Sequence, residues 1–452
     1  MIQLVKNTMK RIMPRPAWER FRSRWWRYLR PLTVDYCPIK LPWFATTRRD
    51  DEIGRLHRLA MSFHWRNEWS ALTALCVAVG AIWWPCQFLF GSIIVFRRYS
   101  GYVRRVYRIG RLTQFFGLLR HGFGANIPPL YYYKYRLFEP DKADRAPAYI
   151  YADEMSMLHP MLAAELPSET LLSRKELFFE HAQSHGLPIA HAIATFADSE
   201  VLKWYGTPER SLPACDLVLK PVDEACGYGF ELWSYQNERR TWRHGDRELD
   251  APAFIRHCCT LTANGHTHIL QQRLVNHPVL QPLSGQGLST IRIVTFRTVD
   301  GIIDVLLACL RMPNGASHVD NFETGGIAAP VDIPTGILGV AVAKDLRRGT
   351  FTRHPDSQAQ IEGVALPFFA DALDISRRAH SCFPWMPFVG WDVVIAENGP
   401  LILEANPNFG IELPQIVIGQ PLGLTRYPAI YLQHLAALKQ AGTQRDRLRS
   451  LE

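Results

Sequence analysis

Apolar and polar positions divide this chain into two regions of different rhythm. From about residue 147 onward, short apolar runs alternate with longer amphipathic stretches, the pattern of strands interleaved with helices. Strands are predicted over 148–151, 216–220, 269–274, 291–298 and 302–310. Two more, 389–395 and 401–404, read as a hairpin around Glu397-Asn398-Gly399. A helix over 175–185 is ended by Gly186, with Pro188 just beyond. Upstream, 61–125 reads as helices, and the pattern breaks at Ile127-Pro128-Pro129 before a connector containing Tyr131-Tyr132-Tyr133. The spans expected are 1–125 basic and helical, 126–146 connecting, 147–440 catalytic, and 441–452 a polar tail without structure. There is no internal repeat.

One stretch stands apart. From Ser70 to Phe96 the chain runs 27 residues without a charge, enough to cross about 30 Å of hydrocarbon as helix. Trp83-Trp84-Pro85 sits in its middle, and proline kinks or breaks a helix. Both flanks are basic, so a single span would export one of them against the positive-inside rule. A re-entrant hairpin turning at Trp84-Pro85 keeps both flanks on one side; a buried helical pair is the alternative. Residues 1–30 lack the apolar core of a cleavable signal.

Charge sharpens this division. The net charge is +9, yet residues 1–120 carry 22 Lys/Arg against 6 Asp/Glu, and the remainder carries 29 against 36. A basic arm rich in Trp, Phe and Tyr suits an anionic lipid surface better than nucleic acid, and no nucleic-acid partner is expected. The expected location is the cytoplasm, peripheral or re-entrant at the inner face of the cytoplasmic membrane. The 47% hydrophobic and 21% charged fractions are those of a globular protein with room for two or three domains. Nine scattered cysteines without zinc-finger spacing read as reduced thiols.

The chemistry is written in polar residues placed within apolar strands. Asp392 and Glu404 each occupy a strand that would otherwise be all core. A two-residue Asn398-Gly399 turn would set Val393 opposite Glu404 and put the two acids on opposite faces. A three-residue loop with Gly399 left-handed pairs Asp392 with Glu404 and brings Asn406 to the same face. Adjacent carboxylates are costly to bury unless a cation lies between them. A hard oxygen site with few protein ligands suits Mg²⁺. The expectation is an odd-numbered loop and a metal face of Asp392, Glu404 and Asn406; the alternative is a solvated acidic face. Lys220 ends an apolar strand beside the glycine turn 226–229, a placement that suits phosphate and equally suits a lysine reaching solvent. Arg292 lies mid-strand and needs an anion, either a ligand or a structural carboxylate, and Arg311 reads the same way. Asp320-Asn321-Phe322 with Gly325-Gly326 reads as a polar loop or a simple turn.

Taken together, these elements resemble the ATP-grasp superfamily, and more closely its sugar-transfer-associated branch, related to alpha-L-glutamate ligases. The run also includes Ile269-Leu270-Gln271-Gln272, His277-Pro278 and His354-Pro355, and covers roughly 147–435. The resemblance implies an α+β fold of two lobes sandwiching ATP, with the N-terminal basic helical region as an extension. It implies Lys175 and Lys220 on the nucleotide phosphates, Gly227 and Gly229 in the loop over them, and Gln272 at the adenine. Asn321 joins the nucleotide set, and Arg292 and Arg311 act at the transferring phosphoryl group. Asp392, Glu404 and Asn406 would hold one or two Mg²⁺, with Mn²⁺ as an alternative ion. His277 would touch substrate or cap a turn. Two departures are a glycine loop carrying Cys226 and Tyr228, and a first lysine set in Ser173-Arg174-Lys175 rather than after an Asp. The implied activity is an ATP-dependent carboxylate–amine ligase acting through an acylphosphate in exopolysaccharide or cell-surface glycan synthesis. Its partners would be small carboxylate and amine substrates and glycosyltransferase machinery. A kinase on the same fold and a non-catalytic ATP-binding scaffold are the other readings.

Overall fold

The computed structural model describes residues 49–67, 71–163, 171–172, 174–205, 211–222, 229–263, 266–285, 287–315 and 320–449. They form two compact units. One holds the described residues up to Met161 together with Asp345–Arg347 and Gly419–Leu432; the other holds the rest.

The first unit is helical. Its main elements are α1 (Glu52–Asn67), α2 (Ala71–Val106), α3 (Arg111–Ala125) and α4 (Pro129–Lys134). Helix α2 is continuous through Pro85, so the hairpin expected at Trp84-Pro85 does not form. Proline removes one backbone donor, but side-chain packing on both sides of it holds the helix on course. Trp84 and Phe88 both stack on Phe123, at 5.4 and 5.1 Å. The chain reverses after α2, near Arg108 with φ 61°, and α3 packs antiparallel, pairing Phe96 with Phe115 at 5.6 Å. No described helix is long and apolar enough to cross a membrane.

Pro128-Pro129 starts α4 rather than breaking the fold, because a proline at the first helical position sacrifices no bond. The segment 148–151 is not the strand its apolar content suggests. Ala146–Ala148 is a 3-10 turn, and Tyr149 leaves it to stack on Tyr135 at 4.4 Å. Burial among other tyrosines, not a sheet, is what makes this stretch apolar.

The second unit carries two antiparallel seven-stranded sheets. The first runs β2 (Glu200–Trp204), β1 (Ala192–Ala197), β7 (His268–Gln272), β3 (Leu217–Pro221), β4 (Glu231–Gln236), β5 (Thr241–His244), β6 (Arg247–Leu249). The second runs β12 (Thr350–Phe351), β11 (Ala341–Ala343), β10 (Ile327–Pro330), β9 (Ile303–Met312), β8 (Thr290–Arg297), β13 (Phe388–Ala396), β14 (Gly399–Asn406). With the flanking helices, including α5 (Lys175–Ser184), α6 (Phe369–Ser381) and α7 (Glu412–Ile418), this is an α+β fold. A last helix, α8 (Tyr427–Arg449), runs through residues expected to form an unstructured tail. Ala, Gln, Arg and Leu there are strong helix formers.

Strand alternation explains how the second sheet sorts its residues. Trp391, Val393 and Ile395 of β13, with Ile291 and Ile293 of β8, enter the main core. Asp392 and Arg292 therefore point to the other face. Inside the core, Thr295 ties the layers together: Trp391 Nε1 donates to its hydroxyl at 2.8 Å, and the hydroxyl lies 2.7 Å from His380 Nδ1 on α6. Burial pushes the His380 imidazole down to about 4, so it stays neutral there.

Thr295→Val keeps the shape and removes the hydroxyl, leaving the indole N–H and the imidazole Nδ1 without their partner, while His380 Nε2 keeps the Met386 carbonyl at 2.8 Å. The variant should be about 1–3 kcal/mol less stable, read as a lower urea midpoint with an unchanged slope.

Candidate active site

The polar face of the second sheet is a row in register across its strands. Glu404 of β14 stands opposite Asp392 of β13, Asp392 opposite Arg292 of β8, and Thr290 opposite Arg311 of β9. The pairing of Asp392 with Glu404 is the one expected, but it is reached by another route. The hairpin closes tightly, with Ala396 opposite Gly399, and Gly399 has φ 123°. That closure alone would set Asp392 against Leu403. A β-bulge between the pairs 393/402 and 392/404 supplies the extra residue. The parity correction lies in the strand, beside the site, not in the loop.

Asp392 is completely buried. Arg292 grips it side-on, Nε to Oδ1 at 2.5 Å and Nη2 to Oδ2 at 3.2 Å. Arg311 Nη2 adds a bond to Oδ2 at 2.8 Å. Arg292 also donates from Nη1 to the Phe409 carbonyl at 2.7 Å. The anion that Arg292 needs is thus a neighbour in the site itself. Gly390 makes this arrangement fit: a Cβ there would lie 2.6 Å from Phe409 Cβ and 3.2 Å from Arg292 Cδ.

Arg311 is held in turn by Asp320. It lies 3.3 Å from Asp320 Oδ1 and donates from Nη2 to Thr290 Oγ1 at 2.7 Å. The Thr290 amide donates to Asp320 Oδ2 at 3.0 Å, and its hydroxyl bonds the same oxygen. Asp320 carries this part of the site, and the sequence reading had picked its neighbour Asn321. The signal was available: an acid opening a polar loop beside two buried arginines.

Electrostatics separate the two carboxyls. Burial opposes ionisation of Asp392, but Arg292 and Arg311 outweigh it and hold the carboxyl well below the usual range. Glu404 lacks such partners. Burial, then Asp392, raises it, and Lys220 and Lys175 offset this only in part. Of the two, Glu404 is the carboxyl that takes up a proton first. Lys220, on β3 of the first sheet, is pushed down to about 8 by burial, against the pull of Glu404. Lys175 begins α5 and donates to the carbonyls of Pro221 and Val222 at 3.3 and 3.2 Å. Both lysines therefore reach the same field as the carboxyl pair, although they come from different elements.

The other expected residues are placed as follows. Gly229 has φ 72°, and a Cβ there would meet Pro221 Cγ at 2.8 Å. Gly227 lies outside the described residues. Gln272 ends β7 with an exposed side chain. His277 Nδ1 accepts the Val279 N–H at 3.2 Å, as a turn cap. Asn321 Oδ1 accepts the Glu323 N–H at 2.9 Å. The Nδ2 atoms of Asn321 and Asn406 are buried with no hydrogen-bond partner among the described residues.

These features fit a polyphosphate accompanied by a divalent cation. Two orphaned amide donors and a lysine desolvated without full compensation call for an anion. Two carboxyls side by side, one of them reluctant to ionise because of the other, mark where a cation would relieve repulsion. No cluster of three His, Cys, Asp or Glu that could hold a metal occurs among the described residues.

Comparison with known proteins agrees with this geometry. Residues 167–426 match the sugar-transfer-associated ATP-grasp family. Among solved structures, D-alanine–D-alanine ligase from Bacillus anthracis, complexed with ATP, is similar over 61% of this chain and 69% of that one, at 10% identity and TM-score 0.35. The same enzyme from Coxiella burnetii covers 63% and 62%, at 12% and 0.33. A biotin carboxylase–ATP complex from Campylobacter jejuni covers 59% and 46%, at 11% and 0.34. A comparison with curated proteins finds none that matches.

Two outcomes test the geometry. Gly390→Ala should displace the Arg292 stem, cost about 1–3 kcal/mol of stability and lower activity with it; full activity at unchanged stability would refute the fit. Lys220→Met should separate stability from binding. The folded value of Lys220 lies below that of free lysine, so the folded state binds fewer protons between about 8 and 10.5. Ligand-free stability therefore rises with pH through that window. Methionine removes the cost, so the ligand-free variant should be more stable near neutrality by about 1 kcal/mol or more. Its melting temperature should no longer rise on adding Mg·ATP.

Proposed function

The chain belongs to the sugar-transfer-associated ATP-grasp family, and from that premise we propose that it is an ATP-dependent carboxylate–amine ligase of exopolysaccharide or cell-surface glycan synthesis. The observation that carries this reading is the fully buried Asp392 paired with the half-buried Glu404 within the field of Lys175 and Lys220. The family's link to sugar transfer supports the glycan context.

Lys175 and Lys220 bind the nucleotide phosphates, with the Asn321 amide as a further donor. Asp392, Glu404 and Asn406 would hold Mg²⁺, which when bound neutralises phosphate oxygens. Arg311 and Arg292 place fixed positive charge where the transferring phosphoryl group develops negative charge. In the reaction a substrate carboxylate oxygen attacks the γ-phosphorus. The bond from that phosphorus to the β–γ bridging oxygen breaks, and ADP leaves. An amine then attacks the acylphosphate carbon, phosphate departs, and the amine loses a proton as the amide forms. The protein contributes position and charge rather than a covalent bond.

Glu404→Gln is the clean probe. Glutamine keeps the shape of glutamate without its charge, and ionisation of Glu404 is already opposed by burial and by Asp392, so the fold should be undisturbed. ATP turnover should fall about 10²–10³-fold, the scale for loss of one charge-stabilising group. Asp392→Asn should lose turnover and stability together, because two buried guanidiniums lose their counter-charge. The assay is ADP release with pooled amino acids and uronic acids. An amide with ADP and phosphate is the expected outcome. A phosphorylated product with ADP alone would make the protein a kinase, and near-wild-type turnover by Glu404→Gln would overturn the site.

A further inference from the structure

Helix α2 carries a stripe that the packing of its own unit leaves in solvent. Val79, Ile82, Trp83, Leu89, Phe90 and Ile93 recur at helical spacing, so they share one face. All are exposed, Ile82 at 81% and Phe90 at 60%. Gln87, Phe88, Ser92 and Val103 turn inward and are buried. On the neighbouring α3, Leu112 and Phe116 are also exposed, at 74% and 65%. Monomeric proteins rarely leave so long an apolar stripe in water.

The same face changes character toward the C-terminal end of α2. Arg97 and Arg104 continue the stripe, and Arg98 and Arg105 flank it, all exposed. Asp345 faces Arg98 at 3.4 Å, and α2 itself contains no acidic residue. One helix face is therefore apolar for about 21 Å, at 1.5 Å per residue, and then cationic. That is the profile of a helix lying at a lipid–water boundary, with apolar side chains among the acyl chains and guanidiniums at the phosphates. No described helix is long and apolar enough to cross a membrane. A second copy of this chain would bring an identical set of arginines to the seam, and the one described carboxylate beside them, Asp345, is already engaged by Arg98 and Arg347. A phospholipid surface supplies the anions.

We propose that the apolar stripe of α2 and its arginine end dock this protein on an anionic phospholipid bilayer. The test is co-sedimentation of the full-length chain with phosphatidylcholine vesicles, with and without phosphatidylglycerol. Wild type should sediment with the anionic vesicles and far less with the neutral ones. Ile82→Glu/Phe90→Glu should abolish sedimentation while leaving the melting temperature unchanged, since both side chains are already in solvent. Arg97→Gln/Arg104→Gln/Arg105→Gln should weaken partitioning roughly a hundredfold, about fivefold for each charge, and the corresponding lysine variant should restore it. Failure of wild type to bind would overturn the proposal. So would full binding by Ile82→Glu/Phe90→Glu, which would place the affinity elsewhere, as in the basic residues 1–48. Loss of a dimer in that variant with vesicle binding unchanged would also overturn it, and would assign the face to a second copy. ATP turnover in solution is a separate readout, so failure of the ligase reading leaves this result intact.

Discussion

The second sheet depends on the complete burial of one carboxylate, Asp392, between two guanidiniums. An ionised acid cannot stay inside a protein uncompensated. Here the compensation is built from strand register: Arg292 stands directly across from Asp392, and Arg311 lies one strand further out. Each arginine then makes its own demand. Arg292 needs the Phe409 carbonyl and the space left by Gly390. Arg311 needs Asp320, which in turn binds Thr290. One buried charge thus fixes the identities of residues on β8, β9, β13 and the loop before Phe322. Buried ion networks of this kind are poor sources of stability compared with apolar packing. Their presence in a sheet that could have been filled with Val and Ile points to chemistry rather than folding.

Much of this was legible in the sequence, for a definite reason. Strand periodicity is local, so an acid and an amide two apart along β14, Glu404 and Asn406, or an arginine among β-branched residues, reveal which face they occupy. That Asp392 and Glu404 share a face was expected because two acids set in apolar strands suit a cation between them. The means did not follow. A bulge at Leu403 leaves no residue signature, because any side chain can be the extra one, whereas a loop glycine does, and so the correction was assigned to Gly399. The partner of Arg292 also had no local signal: Asp392 is a hundred positions away, and only the order β9-β8-β13-β14 brings them together. Asp320 had a local signal, an acid opening a polar loop, but nothing local tied it to Arg311.

The helical unit was misread through a local rule that packing overrode. Pro85 breaks an isolated helix, yet α2 continues through it because aromatic contacts from α3 lie beside the break. The strand expected at 148–151 failed differently. Apolar content reports burial, not secondary structure, and a tyrosine cluster buries a turn as well as a strand. The charge asymmetry could be read from the sequence alone, since net charge needs no conformation to be counted. What composition alone could not supply was that apolar and basic residues fall on one helix face in succession.

The balance of charge at the site carries one more step. Lys175, Lys220, Arg292 and Arg311 face three carboxyls, Asp392, Asp320 and Glu404, and ionisation of Glu404 is opposed by burial and by Asp392. Four basic side chains against three acids leave a positive surplus, so the species this field favours first is a polyanion, not a bare cation. A divalent cation arriving alone would meet those four basic side chains. Arriving with a polyphosphate it would not, because the phosphates would offset the lysines, and a cation beside Glu404 would favour its ionised form. Asp392 would change little, since two arginines already hold it ionised. Of the two acids of the pair, Glu404 is therefore the one whose ionisation a ligand would shift, and Asp392 is the fixed charge against which that shift is set.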